Sequence, residues 1–215
     1  MTDFIFIRHG ETDFNRQLRF QGQIDVALNA NGHEQARRLA RALAAQPFDL
    51  LVSSDLLRTR ETAAPLEGQR QLRATLQPGL REQHFGVLEG LDAPGVQALH
   101  PELWAQWLRH DADYALPEGE SARQFHARVL GTVRELAAAH QGKTLAVVTH
   151  GGVLDMLWRT VHGLALSGAR QCDIPNTGIN RLRWRAGSLD ILGWADAAHL
   201  QGLGEQPNTV PLGER

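Results

Sequence analysis

The sequence predicts one α/β domain with a mostly parallel sheet covered by helices on both faces. Short apolar runs of strand character alternate with helical periods, which is the pattern of parallel strands joined by crossover helices. No repeat, low-complexity block or linker divides the chain. At 215 residues, one domain of this size buries about 70% of its unfolded surface, enough for a core without staples.

The elements follow in order. Phe4–Ile7 is an apolar run ending at Arg8-His9-Gly10 and reads as a buried strand. From Asn31 to Gln46, Ala36, Leu39, Ala40, Leu43 and Ala44 recur at helical spacing. Asn31 and Glu34 are expected to cap that helix, and Pro47 to end it. Leu50–Ser53 is a second short strand, followed by a helix from about Ser54 or Asp55 through Ala64. A further helix begins near Ser121, with Gln124 three residues on and Phe125, Val129, Val133 and Leu136 as its core face. The strand Leu145–Thr149 stops at His150-Gly151-Gly152 and passes into an apolar helix, Val153–Val161. Asn180–Trp184 and Ser188–Trp194 flank an Ala186-Gly187 turn and predict a hairpin. The expected domain is 1–200, with a Gly- and Pro-rich tail over 201–215.

Composition excludes several classes. The longest apolar runs fall far short of the ~20 residues a membrane helix needs. The lone Cys172 cannot make an internal disulfide and has no zinc-like spacing around it. A net charge of −2 carries no nucleic-acid footprint. Lys143 is the only lysine, so the basic residues are almost all arginine. That bias reads as genome composition, and an arginine site must be argued from particular positions. Without a targeting pattern at its start, the chain is expected to be cytoplasmic.

In open α/β sheets, ligands bind beyond the carboxyl ends of the strands. Here those ends carry Arg8-His9-Gly10-Glu11-Thr12, Ser53-Ser54-Asp55 with Arg58 one turn on, and Thr149-His150-Gly151-Gly152. Helical side chains lean toward the N-terminus, so Arg58 should face the same edge. A single histidine or arginine in such a place is usually structural. Two of each, converging from three segments, point to an anion site with a reactive imidazole. Glycine after each histidine permits close backbone approach, and the helix after Gly151 offers N–H groups to an anion.

On these residues the chain resembles the histidine phosphatase superfamily, also called the phosphoglycerate mutase-like family. The resemblance continues through Asn15, Gln21-Gly22, Asp25, Leu28, Gly32 and Gln35-Ala36. It resumes at Ser54-Asp55-Leu56, Arg58, Thr62-Ala63, Glu82, Phe85-Gly86, Glu89-Gly90, Gly119-Glu120-Ser121 and Thr149-His150-Gly151-Gly152. It implies a three-layer α/β/α sandwich and chemistry through a phosphohistidine. His9 matches the nucleophile, Arg8 and Arg58 the phosphate-clamping arginines, and His150 the second histidine. Glu82 matches the proton donor of the phosphatase branches, with Glu11 and Glu89 as the other acids near motif glycines. The expected phosphate pocket is Arg8, Asn15, Gln21, Gly22, Arg58, His150 and Gly151. No metal and no cofactor belong to the pattern.

The expected activity is a metal-independent phosphomonoesterase of the histidine acid phosphatase type, acting on a small phosphorylated metabolite, as a monomer or homodimer. A cofactor-dependent mutase is the alternative, and an inactive binding protein on the same fold is a remote one. The mutase branch has a lysine where Ala93 stands, a second arginine where Leu108 stands beside Arg109, and an asparagine where Gly152 stands. Glu82-Gln83-His84-Phe85-Gly86, by contrast, is similar to the mutase segment. Asp92–Leu116, with Trp104, Trp107, Arg109 and Tyr114, is the expected specificity segment. Amphipathic packing explains those four residues equally well.

Overall fold

The structure, a computed structural model, describes residues 1–204. Six strands form one sheet: β1 (Thr2–Arg8), β2 (Leu50–Ser53), β3 (Thr75–Leu76), β4 (Thr144–Thr149), β5 (Ile179–Arg185) and β6 (Ser188–Asp196). Their spatial order is β3-β2-β4-β1-β5-β6. The pairs β3–β2, β2–β4 and β4–β1 are parallel, whereas β5 and β6 add antiparallel beyond β1. Register aligns Arg8 with Thr149 and Ser53 with Val148, so three carboxyl ends finish level at one edge.

Seven α-helices accompany the sheet among the described residues: α1 (Asp13–Arg16), α2 (Ala30–Ala42), α3 (Leu57–Arg70), α4 (Ala93–Leu99), α5 (Pro101–Trp107), α6 (Ala122–Ala139) and α7 (Gly151–His162). Alternation along the strands feeds two cores. Phe4, Phe6, Leu145 and Val147 pack with Phe125, Val133 and Leu154 from α6 and α7. Ile5, Ile7, Ala146 and Val148 pack with Leu39 from α2 and Leu66 from α3 on the opposite face. The result is the three-layer α/β/α sandwich. A third, smaller cluster gathers Phe20, Leu88, Val96 and Leu116 away from the sheet. Among the described residues, no helix is long and apolar enough to cross a membrane.

Several boundaries differ from the sequence expectation. The cap of α2 is Asn29, not Asn31: its side chain accepts from Gly32 N–H at 2.9 Å and donates to Glu11 Oε1 at 2.8 Å. That second bond ties the helix start to the loop after β1, a tertiary preference invisible to spacing. The helix ends at Ala42, before Pro47. Helix α3 starts three residues late and runs past Pro65 to Arg70, because Leu66 is wholly buried and packing outweighs the bond lost at proline. The two-residue β3 carries too little sequence to announce itself. The predicted hairpin is present, with Ala186 and Gly187 at φ +50° and +88° as its turn demands. The capping box of Ser121 and Gln124 on α6 is present as well. Of the expected tail, residues from 205 on lie outside the described part.

Candidate active site

The level strand ends bring the predicted residues together. His9 follows the last residue of β1, His150 follows β4 as the N-cap of α7, and Arg58 is the second residue of α3. The rings of His9 and His150 stand edge to face with centroids 5.3 Å apart. His9 is held from below: Thr177 N–H donates to the Arg8 carbonyl at 3.0 Å, and Asn176 Nδ2 donates to the His9 carbonyl at 2.9 Å. Its Nδ1 lies 2.7 Å from the Gly10 carbonyl. A carbonyl only accepts, so Nδ1 carries the proton and Nε2 keeps its lone pair. Burial, then the Arg58 and Arg8 charges, hold His9 well below the ordinary imidazole range. It is therefore neutral at pH 7.

His150 is fully buried and held below that range by burial and by Arg58. Its Nε2 meets Ser54 Oγ at 2.9 Å. Ser54 Oγ also faces the Leu56 N–H at 3.5 Å, which leaves its own proton for the ring. When Nε2 accepts from the Ser54 hydroxyl, His150 carries its proton on Nδ1, a buried atom without a hydrogen-bond partner among the described residues.

Arg8 and Arg58 are 7% and 0% exposed, and among the described residues neither forms an ion pair. Arg8 donates to the Ile174 carbonyl at 2.7 Å; Arg58 donates to the Gly22 and Ile24 carbonyls at 2.7 and 2.9 Å. The Nε of each has no hydrogen-bond partner among the described residues. Burial, with Arg170 beside it, pulls the Arg8 guanidinium down to about 9, and burial pulls Arg58 to about 10. Both stay charged at neutral pH. Nearby carboxylates, Glu82 for both and Asp25 and Glu89 for Arg58, favour their charge without pairing directly, and a bound anion would complete them.

The cluster opens into a cavity of about 260 Å³ lined by Arg8, His9, Asn15, Gln21, Gly22 and Arg58, whereas His150 and Gly151 of the expected pocket are not among the residues that line it. The Thr12 hydroxyl, which also caps α1, donates to Gln21 Oε1 at 2.8 Å. The Gly22 carbonyl anchors Arg58, and Gly22 sits at φ +49° against Glu89. Of the three acids the sequence offered, Glu82 lines the cavity. Glu11 and Glu89 turn elsewhere, accepting from Asn29 Nδ2 and from the Gln23 N–H. Glu82 accepts from the Gly152 N–H at 2.9 Å and from Gln83 N–H at 2.9 Å. One N–H expected to await an anion at the start of α7 is thus taken by Glu82. A Cβ at Gly152 would collide with Glu82 Oε1.

Sequence reasoning missed several neighbours. Arg170 lines the cavity next to Arg8 and Gly151. It comes from the loop that Arg159 gathers by donating to the Ala165, Ser167, Gly168 and Ala169 carbonyls. Arg128 on α6 donates to the Gly79, Arg81 and Glu82 carbonyls and pairs with Glu120, which fixes the segment bearing Glu82. No motif marks these side chains; only contact does. Of the expected specificity residues, Trp107 and Tyr114 line the cavity, whereas Trp104 packs in the third cluster. Among the described residues, no group of three or more His, Cys, Asp or Glu side chains is placed to hold a metal ion.

Comparison with known proteins places this geometry. A model of the histidine phosphatase superfamily (branch 1) matches residues 4–197. Phosphoglycerate mutase-like protein 4 of Arabidopsis thaliana is 33% identical over 94% of this chain and 88% of its own. The metal-independent phosphoserine phosphatase of the same plant is 31% identical, over 95% of this chain and 85% of its own. Among solved structures, YhfR of Bacillus stearothermophilus superposes with a TM-score of 0.87 at 27% identity, covering 94% of this chain and all of that one.

Proposed function

The chain belongs to the histidine phosphatase superfamily, and from that premise we propose that it hydrolyses a small phosphomonoester through a phosphohistidine on His9. One observation carries the reading: two buried arginines flank a neutral histidine whose Nε2 is unprotonated. A phosphomonoester dianion completes their charge, and arginine matches phosphate oxygens in pairs.

In the first step His9 Nε2 attacks phosphorus and the ester P–O bond breaks. Glu82 gives its proton to the departing alkoxide, which leaves as the alcohol. In the second step the Glu82 carboxylate takes a proton from water. The oxygen of that water attacks phosphorus, the N–P bond breaks, and inorganic phosphate leaves. His150, with its proton on Nδ1, offers a donor to a phosphoryl oxygen as charge builds there. Transfer through a loose transition state asks the protein for positioning and electrostatics, which these fixed groups supply.

Hydrolysis is favoured over mutase transfer by Gly152. The Glu82 carboxyl occupies its side-chain space, so an asparagine there would require the acid to shift. Ala93 and Leu108 likewise replace cationic side chains that would hold a phosphorylated carboxylate. We place the enzyme in the cytoplasm, as a monomer or homodimer working without metal or cofactor. The test is a phosphoryl-transfer trap: brief exposure to a radiolabelled phosphomonoester in chelator should leave an acid-labile, base-stable label on His9. No label with undiminished turnover would remove the phosphohistidine, and loss of turnover to chelator would point to a metallohydrolase. A chain that neither labels nor turns over substrate would be a binding protein.

A further inference from the structure

Two walls of different chemistry lead away from the phosphate cluster. One is the face of α7, where Asp155, Met156 and Arg159 line the cavity together with Arg170. Its charges are largely spent on each other. Arg159 Nε donates to Asp155 Oδ2 at 2.8 Å, and both its NH groups serve the loop carbonyls named above.

The other wall carries Phe14, Leu18, Phe20, Phe85, Trp107 and Tyr114, with Arg19, Gln106, His110 and Asp111 of the same segments among them. These side chains come from three separate segments yet form one surface. The rings of Phe20, Phe85 and Trp107 meet edge to face at 5.2, 5.3 and 5.6 Å. Packing accounts for only part of each: Phe14, Leu18, Phe85, Trp107 and Tyr114 are all half-buried while lining the cavity. A core residue would have no such uncovered face. Phe85 also lies three residues beyond Glu82 on one segment. The Glu82 carboxyl itself accepts from the Gly152 N–H at the start of α7, so a group departing beside it lies between the two walls.

We propose that the aromatic wall is the leaving-group subsite, and that it selects phosphomonoesters of apolar or aromatic alcohols over those of small charged ones. The inference rests on the phosphatase reading above and names its substrate class. The physical basis is desolvation: apolar area on the leaving group and on the half-buried rings is removed from water together. Each methylene buried should then raise kcat/KM about two- to fourfold.

The test is the series from ethyl to hexyl phosphate, whose alcohols differ little in basicity, so the demand on the acid stays constant while apolar area grows. The expected result is a steady rise in kcat/KM along the series. Butyl phosphate should exceed O-phosphoserine and 3-phosphoglycerate, its charged counterparts of similar size, by at least about tenfold. Trp107→Ala should flatten the rise, and Tyr114→Ala gives a second reading should the tryptophan variant fail to fold. A flat or falling series, or preference for either charged ester, would overturn the proposal and point to Arg170 on the opposite wall. A wild-type slope kept in both variants would also overturn it. Failure to release phosphate from any ester, p-nitrophenyl phosphate included, would instead overturn the phosphatase reading.

Discussion

The strand-end cluster and the aromatic cap over residues 83–120 are built in opposite ways. The cluster hangs on three parallel strands, and its groups are tied by bonds that reach far along the chain. Gly10 N–H donates to Thr62 Oγ1 at 2.9 Å, and the Thr149 hydroxyl donates to the Leu80 carbonyl at 2.9 Å. The cap has two seven-residue helices over a core in which Phe20, Leu88, Val96 and Leu116 are the buried members. Preorganised charges do chemistry only if they cannot relax, so they sit on the stiff sheet. A binding surface for the leaving group need only present apolar area, and a small satellite core suffices for that. Damage to the cluster should therefore strike every substrate, and damage to the cap should strike substrates unequally.

The largest effect expected is at His9. His9→Ala should abolish turnover of aryl and alkyl phosphates alike, because it removes the nitrogen lone pair that faces the arginines and opens on the cavity. Steady-state hydrolysis near the wild-type rate would break the contrast outright. Next is Glu82→Gln, which probes the boundary between the two regions. An alkoxide leaving group needs a proton and an aryl oxide hardly does, so single-turnover phosphorylation by alkyl phosphates should fall about 10²–10⁴-fold. The p-nitrophenyl ester should fall much less. Equal losses would send the search for the acid to Glu11 or Glu89.

Arg58→Met should reduce the rate on all esters by about 10²–10³, as for loss of one preorganised donor. It also removes a buried cation that forms no direct ion pair among the described residues, so the melting temperature should hold or rise. A loss of both stability and rate would mean that its bonds to Gly22 and Ile24 serve the fold first. The smallest effect concerns pH. His9 and His150 are held neutral in the folded state, below their ordinary value of 6.5. The unfolded chain therefore binds more protons once the pH drops below that value. The stability they contribute is whole above about pH 6.5 and is lost as pH falls toward their folded values. The loss approaches about 1.4 kcal/mol per pH unit for each ring. Urea midpoints between pH 7.5 and 5 measure it, and His150→Asn should remove about half of the slope. An unchanged slope in that variant would assign the protons to other groups.

The sequence made the cluster legible and left the cap obscure, for a physical reason. Arg8-His9-Gly10, Ser54 with Arg58, and His150-Gly151 are contiguous words at strand ends, where the rule for ligand sites in α/β sheets already directs attention. Arg128 and Arg170 act through contacts far away in sequence, and nothing in their immediate surroundings distinguishes them from solvated arginines. Asn29 and Asn31 both satisfy the spacing of a cap, and the Glu11 carboxylate selects Asn29. Trp107 and Tyr114 read equally as packing or as pocket, and in the structure Trp107 and Tyr114 are both at once.

The sheet order carries a consequence for how the protein is made. Strand β1 sits between β4 and β5, yet about 136 residues separate its end from the start of β4. At about 5–20 residues per second, a ribosome delivers that partner roughly 7 to 27 seconds after the histidine has been added. Until then Phe4–Ile7 is an apolar strand with both edges open, the kind of segment that invites mispairing and chaperone capture. Asn176 and Thr177, which grip the backbone of His9, arrive later still. His9 is thus synthesised well before the residues that enclose it. Competence to accept a phosphoryl group should hence appear in one late step, and a nascent chain stalled before residue 144 should take up none.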